Sequence, residues 1–352
     1  PRSIDLDILL YGELAYSSER LTIPHPQMSS RLFVLRPLSD LIPDGGHPSF
    51  NNIHWKELMK ASPAMDVREM PGKIDFSDIV YRWGLRTYLM GIINLTPDSF
   101  SQDGILRPEN DPVTAALQKA GDFIHAGADI LDLGAESTRP GFQTIHPAEE
   151  LQRLLPILQA IRKAYPSVTL SVDTRNASTA EEVLRAGADW INDVGGLVHD
   201  PRMAAVCAAA DTKVIIMRSA PVDPAPDTIH AVNNELTRLI DHAQQAGVRD
   251  KNIIIDPGIG FGTTPEQNLE ILQQLQEIKA LGFPLLVGAS RKSFLGHYLL
   301  KPVSDRLSGT IASTVTAIQN GADIVRVHDA AANYDAIKIC DAIQRRQPDA
   351  KV

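Results

Sequence analysis

Polar and charged residues recur at one kind of place in this chain, the ends of short apolar runs. Asp173 closes "TLSVDT", Asn192 and Asp193 close "WINDV", and Asp256 closes "NIIIDP". Lys292, beside Arg291, follows "PLLVGAS"; Arg326 and His328 lie in "DIVRVHD", and Asn94 ends "YLMGIIN". Buried carboxylates and an amide can hydrogen-bond a flat heterocycle bearing several N–H groups. A site so built rejects analogues lacking those groups, because its own polar atoms would be left unpaired. The cations Lys292, Arg326 and Arg139, with His328, can neutralise a phosphate or diphosphate. Asn94 offers a hard oxygen suited to Mg²⁺ beside that diphosphate. A heterocycle and a diphosphate in one pocket point to displacement of the diphosphate as leaving group.

Each of these residues has a plainer reading when taken alone. Asp173 and Thr174 could cap the next helix, Asn192 could satisfy a loop backbone, and Asp256 before Pro257 and Gly258 could be turn chemistry. Independent capping, however, would not set a polar side chain at so many consecutive strand ends.

The elements that must position these residues are legible. The phrase Gly-Ala-Asp recurs in "HAGADILDLGAES", "RAGADWINDVGG" and "QNGADIVRVHDA". Each time a helix-like stretch stops at Gly127, Gly187 or Gly321, a position suited to the left-handed cap, and runs into an apolar segment ending in polar residues. Eight such segments are expected: Tyr88–Asn94, Asp129–Gly134, Thr169–Thr174, Trp190–Val194, Lys213–Met217, Asn252–Pro257, Pro284–Ser290 and Asp323–Asp329. Near-continuous apolar strands alternating with helices mean a parallel sheet covered by helices. Eight units over about 250 residues fit an α/β TIM barrel, whose chemistry sits at the C-terminal strand ends. A doubly wound sheet is the alternative, weakened by the lack of a Gly-x-Gly-x-x-Gly after the first strand. Two long loops, "NLTPDSFSQDGILRPEND" and "GAESTRPGFQT", suit closure over a substrate. Residues 1–62 read as a separate piece of short elements, 63–86 as a linker and 87–352 as the barrel domain.

The chain has 352 residues and a formal net charge of -9. That acidity argues against non-specific nucleic-acid binding, and no apolar run is long enough to span a membrane. Two distant cysteines, Cys207 and Cys340, favour a reducing compartment, so a cytoplasmic location is expected, or an organellar one such as mitochondrial. The first residue is Pro1 rather than Met, which is read as the start of a piece of a longer protein.

"MGIINLTPDSFSQDG", "LDLGAESTRPG", "SVDT", "INDVGG", "DPGIGFG", "GASRKSFLG" and "RVHD" occur in this order. Together they closely resemble the dihydropteroate synthase family, the sulfonamide target of the folate pathway. The resemblance implies a TIM barrel that joins 6-hydroxymethyl-7,8-dihydropterin diphosphate to p-aminobenzoate, releasing 7,8-dihydropteroate and diphosphate, with Mg²⁺ as cofactor. It assigns Asp173, Asn192, Met217, Asp256, Phe261 and Lys292 to the pterin. Asn94 falls to the Mg²⁺-diphosphate, with Thr138, Arg139, Arg326 and His328 as diphosphate anchors. Phe100, Thr138, Pro140, Arg291 and Ser293 fall around p-aminobenzoate. Lys292, Asp256, Arg326 and Asp173 are the expected catalytic set. The carboxylates stabilise a pterin cation as diphosphate leaves, and no protein nucleophile is required. A homodimer is also implied.

"PRSIDLDILLYG" and "LTIPHPQMSSRLFVLRPL" resemble the C-terminal part of 6-hydroxymethyl-7,8-dihydropterin pyrophosphokinase. That likeness implies a partial α+β ferredoxin-like fragment, two Mg²⁺ ions on the Asp5 and Asp7 pair, and ATP contacts at Arg2, His25 and Arg31. In a strand, residues two apart face the same way, so the Asp-x-Asp spacing suits a shared metal site. A bifunctional parent protein is expected, with no kinase activity in this chain. The chain departs from the synthase pattern at Thr263, where many members carry Lys, at Arg218 in "MRSAP", where a His-containing stretch is usual, and at "SQDG". A pterin-binding methyltransferase would lack the Ser-Arg-Lys and Arg-x-His-Asp cations, and a silent scaffold would not keep the whole rim.

Overall fold

A computed structural model of the chain describes residues 8–345, except 12–13, 19–20, 32–33, 36–37, 40–45, 51–52, 56, 59–80, 97–110, 137–144 and 223–226. The chain forms two compact units, Pro1–Asp78 and Ile79–Val352. In the first, Tyr16–Ser17 pairs antiparallel with Thr22–Ile23, and Met28, Leu35, Leu38 and Trp55 make a small core. Short 3₁₀ turns at Met28–Ser30 and Pro48–Phe50 flank it.

The second unit is a parallel eight-stranded barrel. Its strands are β1 (Tyr88–Asn94), β2 (Ile130–Gly134), β3 (Thr169–Asp173), β4 (Trp190–Asp193), β5 (Lys213–Met217), β6 (Ile253–Asp256), β7 (Leu286–Val287) and β8 (Ile324–Val327). Hydrogen-bonded neighbours run β6-β5-β4-β3-β2-β1-β8-β7. A parallel bridge between Ile255 and Leu285 joins β6 to the entry of β7, and Ile255 N–H donates to the Pro284 carbonyl at 2.9 Å. Around the sheet lie α1 (Pro112–His125), α2 (Pro147–Ala164), α3 (Ala177–Arg185), α4 (Met203–Ala210), α5 (Thr228–Gln245), α6 (Pro265–Gln273), α7 (Leu275–Lys279), α8 (Ser293–Leu299), α9 (Leu307–Gln319) and α10 (Ala330–Gln344). Gly127, Gly187 and Gly321 end their helices at φ of +93°, +107° and +101°, the left-handed cap expected from the repeated phrase.

Strand alternation decides what faces the barrel axis. Tyr88, Met90, Ile130, Trp190, Ile215, Ile254, Leu286 and Ile324 cluster with Tyr81 as an apolar floor. Residues of the opposite parity, such as Leu131, Ile191 and Ile216, join the larger core under the helices. Two residues beyond the floor, the same inward parity brings Asp132, Asn192, Met217, Asp256 and Arg326 to the upper layer.

Two expectations need correction. Tyr81–Arg86, placed in a linker, belong to the barrel. The Tyr81 ring lies 4.8 Å from those of Tyr88 and Trp190 and 5.1 Å from that of Trp83. The Tyr81 hydroxyl donates to Thr169 Oγ1 at 2.7 Å, and Gly84 N–H donates to the buried Asp323. These aromatics close the N-terminal end of the barrel, which would otherwise expose the floor. The seventh strand is also shorter than expected: pairing ends at Val287, and the chain turns at Ser290 and Arg291, where Lys292 N–H closes on the Ala289 carbonyl. Among the described residues, no helix is long and apolar enough to cross a membrane.

Candidate active site

The polar upper layer is held together across the barrel. Arg326 on β8 donates from Nε to Asp132 Oδ2 at 2.6 Å and from Nη2 to Asp173 Oδ2 at 3.0 Å. Asn192 on β4 donates from Nδ2 to the same Asp132 oxygen at 3.0 Å. Asp132 is fully buried and its Oδ1 has no hydrogen-bond partner. Sequence reasoning passed over Asp132. Its signal was a carboxylate inside the apolar "ILDLG", at the inward parity set by Ile130 rather than at the strand end.

These groups sit in a dry setting, which moves their protonation. Burial, reinforced by Asp132, Glu150 and Asp193 and opposed by Arg326, pushes the Asp173 carboxyl up to about 7. Burial also raises Asp256, while the Gly258 N–H, Lys292, Arg326 and Arg218 pull it back. The Gly258 bond is direct, at 2.8 Å to Oδ1. Lys292 is brought down to about 8 by burial and by the Arg326 charge, against the attraction of Asp256 and Asp173. Burial works against the charge on Arg326 too, but Asp132 and Asp173 outweigh it and hold its pKa above the ordinary arginine value.

"GASRKSFLG" forms a tight turn rather than a continued strand. Arg291 takes a left-handed φ of 57°, and Lys292 N–H donates to the Ala289 carbonyl at 3.3 Å. The adjacent pair therefore diverges through a turn. Lys292 caps α8, with Nζ 4.0 Å from the centroid of the Phe261 ring. Arg291 instead grips Asp329, with Nε at 3.0 Å and Nη2 at 2.5 Å from its two oxygens. Arg306 donates from Nη1 to the carbonyls of both Arg291 and Lys292, and passes so close to Gly296 that a Cβ there would meet its Nη2 at 2.0 Å.

Asn94 ends β1 opposite Gly134, Met217 ends β5 and is buried, and Ser293 is exposed on the first turn of α8. His328 follows β8 with Nδ1 3.0 Å from Ser290 Oγ. The second long loop is tied at its described ends: Glu136 accepts from Ile145 N–H at 3.2 Å and from Arg175 Nε at 3.0 Å. Phe100, Thr138, Arg139, Pro140, Arg2, Asp5 and Asp7 lie outside the described residues. In the first unit His25 Nδ1 accepts from Gln27 N–H at 3.2 Å, and Arg31 donates to the Gln27 side chain. Among the described residues, no group of three or more His, Cys, Asp or Glu is arranged to hold a metal ion.

Comparison with known proteins separates the two units. The family described as pterin binding enzyme matches residues 90–328, and the 7,8-dihydro-6-hydroxymethylpterin-pyrophosphokinase family matches residues 1–43. A dihydropteroate synthase of Clostridium beijerinckii is 45% identical over 264 residues, covering 75% of this chain and 96% of that protein. The chain belongs to the dihydropteroate synthase family. A solved dihydropteroate synthase from Clostridium difficile, determined in the presence of pteroic acid, superimposes with a TM-score of 0.71. It is 42% identical, covering 75% of this chain and 99% of that one. The folic acid synthesis protein fol1 of Pneumocystis carinii is 38% identical over 364 residues, covering 97% of this chain. The chain spans 48% of that relative's length, the synthase barrel preceded by the pyrophosphokinase-like segment.

Proposed function

We propose that the barrel of this chain condenses 6-hydroxymethyl-7,8-dihydropterin diphosphate with p-aminobenzoate. The observation that carries the reading is the convergence of Asp173, Asn192, Asp256, Lys292 and Arg326 on one barrel mouth. In that reading Asp173, Asn192 and Asp256 take the ring N–H groups, with Met217 and Phe261 as apolar walls. Lys292 donates to the ring acceptors. As the C–O bond to diphosphate breaks, positive charge grows on the pterin methylene and ring, and the fixed carboxylates stabilise it without reorganising. The arylamine nitrogen then forms the new C–N bond and loses one proton to the departing diphosphate or to water. Arg326 commits Nε and Nη2 to Asp132 and Asp173, which leaves Nη1, with His328 and the loop residues Thr138 and Arg139, for the diphosphate. Ser293, Arg291, Phe100, Thr138 and Pro140 are assigned to p-aminobenzoate.

Asn94 fits a Mg²⁺ ion as one neutral oxygen ligand, because such a site takes most of its shell from substrate phosphate and water rather than from a protein cage. When bound, Mg²⁺ would offset the charge of the diphosphate. The test is condensation by the purified chain. Diphosphate release is expected only when both substrates are present, and release that ignores p-aminobenzoate would contradict the reading.

Three coarser assignments belong with it. Ile339 and Ile343 on α10 are 63% and 68% exposed, and with Ile311 and Val315 of α9 they line an apolar groove of about 430 Å³. We assign that face to a homodimer. Cys207 and Cys340 are both buried and unbonded, which suits a reducing cytosol or organelle matrix. In a longer parent protein, Arg2, Asp5, Asp7, His25 and Arg31 are assigned to ATP and its Mg²⁺ in the kinase that makes the pterin diphosphate.

A further inference from the structure

Arg218 follows β5 and is 1% exposed, as deeply buried as the apolar residues around it. Among the described residues no carboxylate forms an ion pair with it; its partners are backbone carbonyls. Nε donates to Pro257 at 2.9 Å, Nη2 to Gly258 at 3.2 Å and to Phe261 at 2.7 Å, and Nη1 to Ala220. Three of these four acceptors lie in the loop after β6. A buried cation costs stability that an apolar residue of similar volume would avoid, so its presence there calls for a role.

The same two loops meet backbone to backbone. A Cβ on Gly258 would come within 1.9 Å of the Arg218 carbonyl oxygen, and one on Gly262 within 2.7 Å of Pro221 Cα. Both glycines have positive φ, +73° and +57°. Val222 N–H also donates to the Gly262 carbonyl at 2.9 Å. A guanidinium presents its donors in a rigid planar fork, so it fixes several carbonyls relative to one another, which the single point charge of a lysine does not. The loop so fixed carries Phe261, whose ring faces Lys292 Nζ, and Gly260, where a Cβ would lie 3.1 Å from Lys292 Cδ.

We propose that Arg218 is a positioning residue for the pterin pocket, fixing residues 257–262 so that the Phe261 ring and Lys292 form one wall against the pterin ring. This inference rests on the synthase reading above. Arg218 acts through the loop and touches no reacting atom. Its effect should therefore fall on the pterin substrate and spare the second substrate, whose assigned residues lie on other loops.

The experiment compares Arg218→Lys and Arg218→Met in the full chain, alone and combined with Phe261→Leu, by KM for each substrate. Both Arg218 variants are expected to raise the KM for the pterin diphosphate by ~10-fold or more, Met more than Lys, and to leave the KM for p-aminobenzoate within about twofold. In the Phe261→Leu background the Arg218 variants should add little, since the wall they support is already lost. Equal rises in both KM values, no rise in either, or full additivity with Phe261→Leu would overturn the inference. If the Met variant does not fold, the Lys variant, which keeps charge and most of the volume, carries the same comparison. A wild-type chain without condensation activity removes the synthase reading itself, whereas an active wild type with unaffected Arg218 variants removes only this inference.

Discussion

In the proposed reading, Lys292 and Asp173 set the pH window of the site. Asp173 must be ionised to accept N–H groups, and burial delays that until about 7. Lys292 must be protonated to donate, and burial ends that near about 8. The competent form therefore gains population as pH rises through the first value and loses it beyond the second. Because kcat/KM reports groups of the free enzyme, its pH profile should be bell-shaped with a maximum between these values. A flat kcat/KM from about pH 6 to about pH 9 would show that neither group is needed in that form. Some of this layer was legible in the sequence. Asp173, Asn192 and Asp256 sit at strand ends, where any barrel keeps its chemistry. Asp132 was hidden because it precedes the end of its strand by two residues and reads as part of an apolar run. The path of Arg291 was hidden for another reason: a non-glycine residue gives no sign that it will adopt positive φ. Arg218 was visible as a departure, but its four carbonyl partners come from loops whose approach only the fold defines.

At the scale of elements, the eight strands were legible because both faces of a parallel barrel strand are buried, so each reads as an apolar run stopped by polar residues. β1 and β5 begin and end where the apolar runs do. β7 does not, because pairing stops at Val287 and the chain turns at Ser290 and Arg291. Tyr81 and Trp83 were read as linker because aromatics in a short irregular segment carry no period. Their place under the barrel depends on Trp190 and Tyr88, which lie far away in sequence. The α9–α10 face belongs to the same scale. Ile339 and Ile343 stay exposed there, beside the half-buried Ile311. Light scattering should give the mass of two chains for the wild type and of one chain for Ile339→Asp with Ile343→Asp. A wild-type mass of one chain would remove the dimer assignment.

At the scale of the whole molecule, the barrel separates stability from chemistry. The floor, from Met90 to Ile324, is apolar and sealed from below by the Tyr81 cluster. The layer above it holds buried charges that burial disfavours. Lys292 shows the opposition most clearly: its folded-state pKa is depressed, so the fold is more stable with the lysine neutral, yet the proposed chemistry needs it charged. Removing its ammonium should therefore cost activity without unfolding the chain. The decisive measurement is kcat/KM for the pterin diphosphate in Lys292→Ala beside the wild type, with thermal unfolding of both. The account predicts a loss of ~100-fold or more with the melting transition retained. Turnover within about threefold of wild type in a folded Lys292→Ala protein would contradict it.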